Sequence, residues 1–350
     1  MIEVKNVPTV YNVPQLLEEQ GMTTLLRSIL NLSALSIAPA LALKGRDTWE
    51  EWKALTSTEH RHDPDVNIAL VGKYIELHDS YLSVIKALQH SAMRCRRKLN
   101  IEWVDSEHLE ISTRDANPAK FHKAWHAVCT AQGVLVPGGF GHRGTEGMIA
   151  AARWARENKK PYLGICLGMQ VAVIEFARHI CGIQNATSEE FNAEALNRLI
   201  MFMPEVDKET MGATMRLGLR ATHFQPGSEW SKLRALYAGK EEILERHRHR
   251  YEVNPEYIEK LEAAGLNFVG KDKEGRRMEV VELKDHPWFV AVQYHPEYLS
   301  RVLDPSRPYL GFVAASAGLL DPITKEFNQG TDEANAVLLN GVKEKINGTS

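Results

Sequence analysis

The chain has 350 residues, 44% of them apolar and 25% charged, with a formal net charge of -3. This is the composition of a globular protein able to bury a sizeable core, and its near-neutral balance gives no electrostatic basis for binding nucleic acid or a membrane surface. Small molecules are the expected ligands. No apolar run is long enough to cross a bilayer, and the first five residues lack the basic region and apolar core of a secretion signal. Cys95, Cys129, Cys166 and Cys181 form no C-x-x-C pair, so reduced thiols and a cytoplasmic setting are expected.

In chain order, residues 1–44 carry a helix over Gln15–Glu19 and an amphipathic stretch ending at Leu30, with too few apolar partners for a core of their own. Residues 45–65 read as a linker containing a Thr48-x-x-Glu51 capping box, with a boundary near Pro64. The main domain is expected over 66–320. Its pattern predicts strands at Val66–Gly72, Ile101–Val104, Gly133–Pro137 and Leu163–Ile165. Helices are predicted over Ser80–Leu99, Thr145–Asn158 and Met169–His179. Periodicity weakens after Asn185, where Met203-Pro204 and Met211–Gly218 read as strand and loop. Helices are then expected over Leu233–Arg248 and Pro255–Ala264, strands over Leu266–Gly270, Met278–Leu283 and Trp288–Tyr294, and a closing helix from Val313. Residues 321–350 form a polar tail. Strands alternating with helices imply an α/β protein with an open, mostly parallel doubly wound sheet flanked by helices, whose functional loops gather at the strand C-termini.

At one such end stands Gly164-Ile165-Cys166-Leu167-Gly168. A strand handing over to a helix through a glycine-flanked turn pushes its central side chain outward, and the helix N-terminus favours a thiolate, which makes Cys166 the candidate nucleophile. Acyl transfer by a thiolate needs a base, a group that orients the base, and donors for the oxyanion. His295, in Gln293-Tyr294-His295-Pro296-Glu297, is the candidate base. Glu297, two residues on in an extended segment, projects to the same side and orients it.

The segment Pro137-Gly138-Gly139-Phe140-Gly141-His142-Arg143-Gly144 formally contains G-x-G-x-x-G. A dinucleotide site would need an acidic residue about twenty positions on, where Gly164 and Ile165 stand instead. The N–H groups of Gly139 and Leu167 are therefore read as an oxyanion hole. The histidines show no metal-ligand spacing, so no metal is expected. In the basic run Glu245-Arg246-His247-Arg248-His249-Arg250-Tyr251 one arginine, Arg250 by preference, is suited to grip a substrate carboxylate, although spacing does not choose among the three.

The set P-G-G-F-G, G-I-C-L-G-M-Q and Q-Y-H-P-E resembles the class I, or triad, glutamine amidotransferases. The runs M-x-x-T-M-R-L-G and E-R-H-R-H-R-Y-E-V-N are similar in particular to the CTP synthase family, and Tyr11–Gly21 resembles the end of that family's synthetase domain. The resemblance implies that Cys166 attacks the side-chain amide of L-glutamine to give a thioester and ammonia, with His295 and Glu297 completing the triad. It further implies that Gly138, Gly139, Gln170, Glu190 and Arg250 bind glutamine and that Phe140 and Arg216 take part in a response to GTP. In such enzymes a synthetase domain uses ATP and magnesium to aminate UTP, and the full-length enzyme forms a homotetramer or filament. No G-x-x-x-x-G-K-[ST] phosphate loop is present, so the chain is expected to hydrolyse glutamine at most, with no cofactor of its own. Ala213 and Leu303 stand where glycine and proline are common in the family. A different triad amidotransferase, a glutamyl hydrolase, or a non-catalytic binding or assembly module are the alternative expectations.

Overall fold

Short apolar runs bounded by glycine and proline become the inner strands of one sheet in the computed structural model, which describes residues 2–4, 6–7, 9–56, 63–203 and 215–327. Strands β1 (Asp65–Gly72), β2 (Lys98–Asp105), β3 (Gly133–Val136) and β4 (Tyr162–Ile165) are followed by a pair, β5 (Thr187–Ser188) and β6 (Arg198–Phe202). Then come β7 (Arg216–Phe224), β8 (Glu242–His249), β9 (Tyr251–Val253), β10 (Asn267–Lys271), β11 (Met278–Glu282) and β12 (Phe289–Val292). The large sheet runs β2-β1-β3-β4-β12-β11-β10-β7-β8, and β5, β6 and β9 form a second, small one.

From β2 to β12 the strands are parallel. From β12 to β8 they are antiparallel. The expected α/β sheet flanked by helices is thus present, with its parallel half carrying the strand ends that matter for chemistry and an antiparallel extension beyond them. Strands β3, β4 and β12 are buried along their whole length, as strands covered on both faces must be.

The helices are α1 (Val13–Glu19), α2 (Met22–Ile29), α3 (Pro39–Thr56), α4 (Leu82–Arg94), α5 (Ile111–Ala116) and α6 (Pro118–Thr130), then α7 (Thr145–Glu157), α8 (Leu167–His179), α9 (Lys232–Leu236), α10 (Ile258–Ala263) and α11 (Arg307–Ser316). One face of the sheet packs on Val128, Met148, Ala152 and Phe176 from α6, α7 and α8. The other packs on Leu88, Leu236, Tyr309 and Phe312 from α4, α9 and α11. On the first face Arg156 grips the fully buried Glu175 through two bonds of 2.9 and 2.8 Å, the bidentate geometry that makes a buried carboxylate tolerable. The leading segment docks on α3 and α4: Tyr11 Oη lies 2.9 Å from His90 Nε2, Trp52 Nε1 donates to the Tyr11 carbonyl at 3.1 Å, and Asn12 donates to the Thr56 carbonyl at 2.6 Å.

Several local expectations are corrected. The helix expected over Leu233–Arg248 ends at Leu236, and Glu242–His249 is β8, paired with β7 along its whole length. Burial there alternates strictly, but three of the four buried positions are Glu245, His247 and His249, so the period of two carries little hydrophobic signal. The helix drawn over Ser80–Leu99 stops at Arg94, the chain reverses at Arg96 with φ +50°, and β2 begins at Lys98. The basic run 94–98 is therefore a helix end, a turn and a strand start. Thr48 caps nothing: it lies inside α3 and its hydroxyl donates to the Lys44 carbonyl at 2.8 Å. The closing helix starts at Arg307, before Val313, because Pro308 fits its first turn. Residues 211–214 and the polar tail beyond 327 lie outside the described residues, as do His60 and His62.

Candidate active site

Cys166 follows β4 and caps α8 with φ +53° and ψ -101°, a backbone region that side chains avoid. Its N–H donates to the Val292 carbonyl at 2.7 Å, so the turn is clamped to the end of β12. Both flanking glycines have steric reasons: an added Cβ at Gly164 would lie 2.6 Å from the Gly168 carbonyl oxygen, and one at Gly168 would lie 2.1 Å from that of Val136. The close packing of β3, β4 and α8 thus forces Cys166 outward at the parallel strand ends.

The chain leaving β12 supplies the partners. His295 N–H donates to the Arg246 carbonyl at 2.7 Å, which fixes the segment against β8. A carboxylate only accepts, so His295 Nδ1–H donates to Glu297 Oε1 at 2.8 Å, leaving Nε2 available to Cys166, which lines the same cavity. Tyr309 Oη donates to the other Glu297 oxygen at 3.5 Å. Burial opposes charge on His295, yet the Glu297 carboxylate and the Cys166 sulfur outweigh it and hold its pKa well above the ordinary histidine value.

The glycine loop after β3 closes over Cys166. An added Cβ at Gly138 would lie 2.9 Å from His295 Cε1 and 3.6 Å from Cys166 Cβ, and one at Gly139 would lie 3.3 Å from Leu167 Cδ2. Leu167 opens α8, where N–H groups have no intrahelical acceptor, so its amide and that of Gly139 come from adjoining segments beside the sulfur. A cavity of about 460 Å³ opens here, lined among others by Gly138, Gly139, Phe140, Cys166, Arg248 and His295.

The remaining expected residues take separate places. Gln170, 3% exposed, donates from Nε2 to the Tyr251 carbonyl at 3.2 Å and to Gln293 Oε1 at 3.3 Å. Glu190 Oε1 accepts the Gly141 N–H at 2.7 Å. Burial first, then Glu190 and Glu189, raise the pKa of the Tyr251 phenol while Arg250 lowers it, so these charges surround one ring. Arg248, rather than Arg250, lines the cavity beside the sulfur. Phe140 is half exposed on that cavity, whereas Arg216 at the start of β7 is engaged with Glu279 at 2.7 Å. No group of three or more His, Cys, Asp or Glu able to hold a metal occurs among the described residues.

Two residues at the site had no role in the sequence reading. Lys73, buried just past β1, donates from Nζ to the Phe140 carbonyl at 3.1 Å and also to that of Gly141, while Arg143 donates to its own carbonyl. It holds the glycine loop down. Burial is the main cause that lowers its pKa to about 8, opposed by Glu190 and assisted by Arg143. Gln293 donates from Nε2 to Cys166 Sγ at 3.5 Å. Its place in Q-Y-H-P-E was the available signal; for Lys73 only the position after a strand end was.

Residues 76–315 match the family profile described as glutamine amidotransferase class-I. The chain is 64% identical over 335 residues to CTP synthase of Neurospora crassa, covering 96% of this chain and 58% of that protein. It is 53% identical over 325 residues to CTP synthase 1 of Saccharomyces cerevisiae, covering 92% of this chain and 56% of that one. Among solved structures, the glutaminase domain of Trypanosoma brucei CTPS with bound acivicin is 42% identical with a TM-score of 0.65, covering 72% of this chain and 94% of that one. The chain spans somewhat more than half the length of the curated relatives it matches. Among the described residues no helix is long and apolar enough to cross a membrane.

Proposed function

The chain belongs to the class-I glutamine amidotransferases, and from that membership we propose that it hydrolyses the side-chain amide of L-glutamine through a thioester on Cys166. The observation that carries this reading is the Cys166–His295–Glu297 arrangement at the ends of β4 and β12. Against burial, the Glu297 carboxylate holds the imidazole pKa up, so His295 is suited to take a proton, as the base that activates a thiol must.

The thiolate adds to the amide carbon, and its carbonyl electrons move to oxygen, where the N–H groups of Gly139 and Leu167 receive the negative charge. His295 gives its Nε2 proton to the amide nitrogen, the C–N bond breaks, and ammonia leaves. Water then adds to the thioester as His295 takes its proton, and glutamate and the thiolate return. Throughout, Glu297 keeps the proton on Nδ1 and offsets the imidazolium charge. On the family likeness, Gly138, Gln170, Glu190 and Arg250 seat the amino-acid end of glutamine, with Arg248 the arginine that lines the cavity itself; Gln170 offers an acceptor oxygen because its nitrogen is already spent on Tyr251 and Gln293.

The likeness to CTP synthases supports a wider proposal for the longer protein: the ammonia passes to a synthetase domain that uses ATP and magnesium to aminate UTP. No G-x-x-x-x-G-K-[ST] phosphate loop occurs in this sequence, so the amination step is proposed for the longer protein and no part of it is assigned to residues of this chain. Phe140 and Arg216 are proposed to carry a response to GTP. Ammonia release from glutamine by the wild type and by Cys166→Ala, each with and without GTP, tests both proposals. Release that Cys166→Ala abolishes is expected. Absence of release, together with failure of Cys166 to react with a glutamine-analogue electrophile, would sink the glutaminase reading.

A further inference from the structure

Donors and acceptors around the nucleophile follow from one group whose role is fixed, the main-chain carbonyl of Tyr251, which can only accept. The Gln170 atom 3.2 Å from it must be the amide nitrogen. That nitrogen also lies 3.3 Å from a terminal atom of Gln293, which must therefore be the amide oxygen. The remaining terminal atom of Gln293, 3.5 Å from Cys166 Sγ, is then its nitrogen, a donor aimed at the sulfur.

A second path ends on the same carbonyl. His249 Nδ1, 3.1 Å from the Tyr251 oxygen, must carry a proton. Burial, with neighbouring cations, pushes His249 down to about 3 and His247 to about 2, so both rings are neutral. His249 Nε2 is then an acceptor, and His247 Nδ1–H donates to it at 3.1 Å. Two buried rings on β8 thus anchor the carbonyl on which the glutamine-side network depends.

We propose that Gln293 is a further catalytic residue: its amide N–H stabilises the Cys166 thiolate while its amide oxygen holds the Gln170 carboxamide, so that nucleophile and glutamine pocket share one rigid group. Only the pocket half of this statement rests on the glutaminase reading. Gln293 is 1% exposed, and its main-chain N–H donates to the Glu279 carbonyl at 2.9 Å, which leaves the side chain little freedom. Cys166 itself is 7% exposed, and a charge so enclosed needs donors that replace water. His295 supplies one and Gln293 a second. A donor aimed at an ionised sulfur is worth more than one aimed at a neutral thiol, so it favours the reactive form.

The test is alkylation of Cys166 by iodoacetamide across pH, followed on the Cys166 peptide by mass spectrometry, in the wild type, Gln293→Met and Gln293→Glu. Methionine keeps the bulk without the donor. Glutamate keeps the shape and turns an acceptor toward the sulfur. The titratable groups lining the cavity, His295, Glu297, Arg248, Tyr74, Tyr81 and Tyr298, are unchanged in both. Gln293→Met is expected to react about tenfold more slowly at pH 7, with the profile moved about one unit toward alkali, and Gln293→Glu more slowly still. Both are also expected to lower kcat and to raise KM for glutamine. Rates and profiles within about twofold of wild type, in either variant with a native circular dichroism spectrum, would overturn the proposal. Alkylation needs no turnover, so failure of the glutaminase reading appears separately, as a wild type that alkylates yet releases no ammonia.

Discussion

Gly168 and Val136 meet backbone to backbone: a Cβ added to the glycine would lie 2.1 Å from the valine carbonyl oxygen. The first turn of α8 is therefore drawn against β3 more closely than a side chain permits, which brings the Leu167 amide beside the glycine loop. Gly168→Ala must push the helix away. It is expected to lose about 1–3 kcal/mol in urea unfolding and most of its ammonia release. Wild-type values for both would show that the close approach is not needed.

At Cys166 the usual ranking of small residues is expected to invert. Alanine ordinarily stabilises a helical position over glycine by about 0.5–1 kcal/mol. With φ at +53° the Cβ is strained, so Cys166→Gly is expected to be more stable than Cys166→Ala by about 1 kcal/mol, both being inactive. Paired urea titrations decide it: Cys166→Ala as the more stable of the two would remove the case for a strained elbow.

Lys73 ties the loop bearing Gly139 to the end of β1. Its cation is present below about pH 8 and lost above it, so kcat is expected to fall above about pH 8 as this loop is released. Lys73→Met is expected to lower kcat by about tenfold, with a smaller effect on KM, and to flatten the profile between about pH 7 and 9. Lys73→Arg should restore a large part of the rate. An unchanged profile in Lys73→Met would detach the lysine from catalysis.

Stability should respond to acid through the β8 histidines. In the unfolded chain their pKa is about 6.5, whereas the folded values are about 3 for His249 and about 2 for His247. Below pH 6.5 the unfolded chain takes up protons that the folded pair refuses, so stability falls with pH, by up to about 1.4 kcal/mol per unit for each ring. His295 has the opposite sign: its folded pKa is raised, so its contribution is complete below about 6.5 and is lost as pH rises through the folded value. Urea midpoints between about pH 6 and 4 should therefore drop less steeply in His249→Gln than in the wild type. Equal slopes would mean that the ring is not held neutral.

The convergence of Cys166, His295 and Glu297 was legible because each sits in a short, locally decisive motif: two glycines around Cys166, and His295 and Glu297 two apart after an apolar strand. The inner strands were legible for the same reason, as unbroken apolar runs. β8 was not, since Glu245, His247 and His249 occupy the face that a strand normally fills with valine or isoleucine. The Gln170–Gln293 network was hidden by distance, because the two residues lie 123 positions apart and meet only where α8 and β12 flank β4. Lys73 was hidden by type: a lysine after a strand end reads as a solvated charge until the loop that covers it is in place.

β8 is the last strand of the nine, and an uncovered border strand invites foreign chains to continue the sheet. At Arg246 that invitation is withdrawn, because the carbonyl already accepts the His295 amide. The segment that carries His295 thus also occupies one acceptor of this border, so damage to the loop after β12 is expected to free that acceptor as well as to disturb the site.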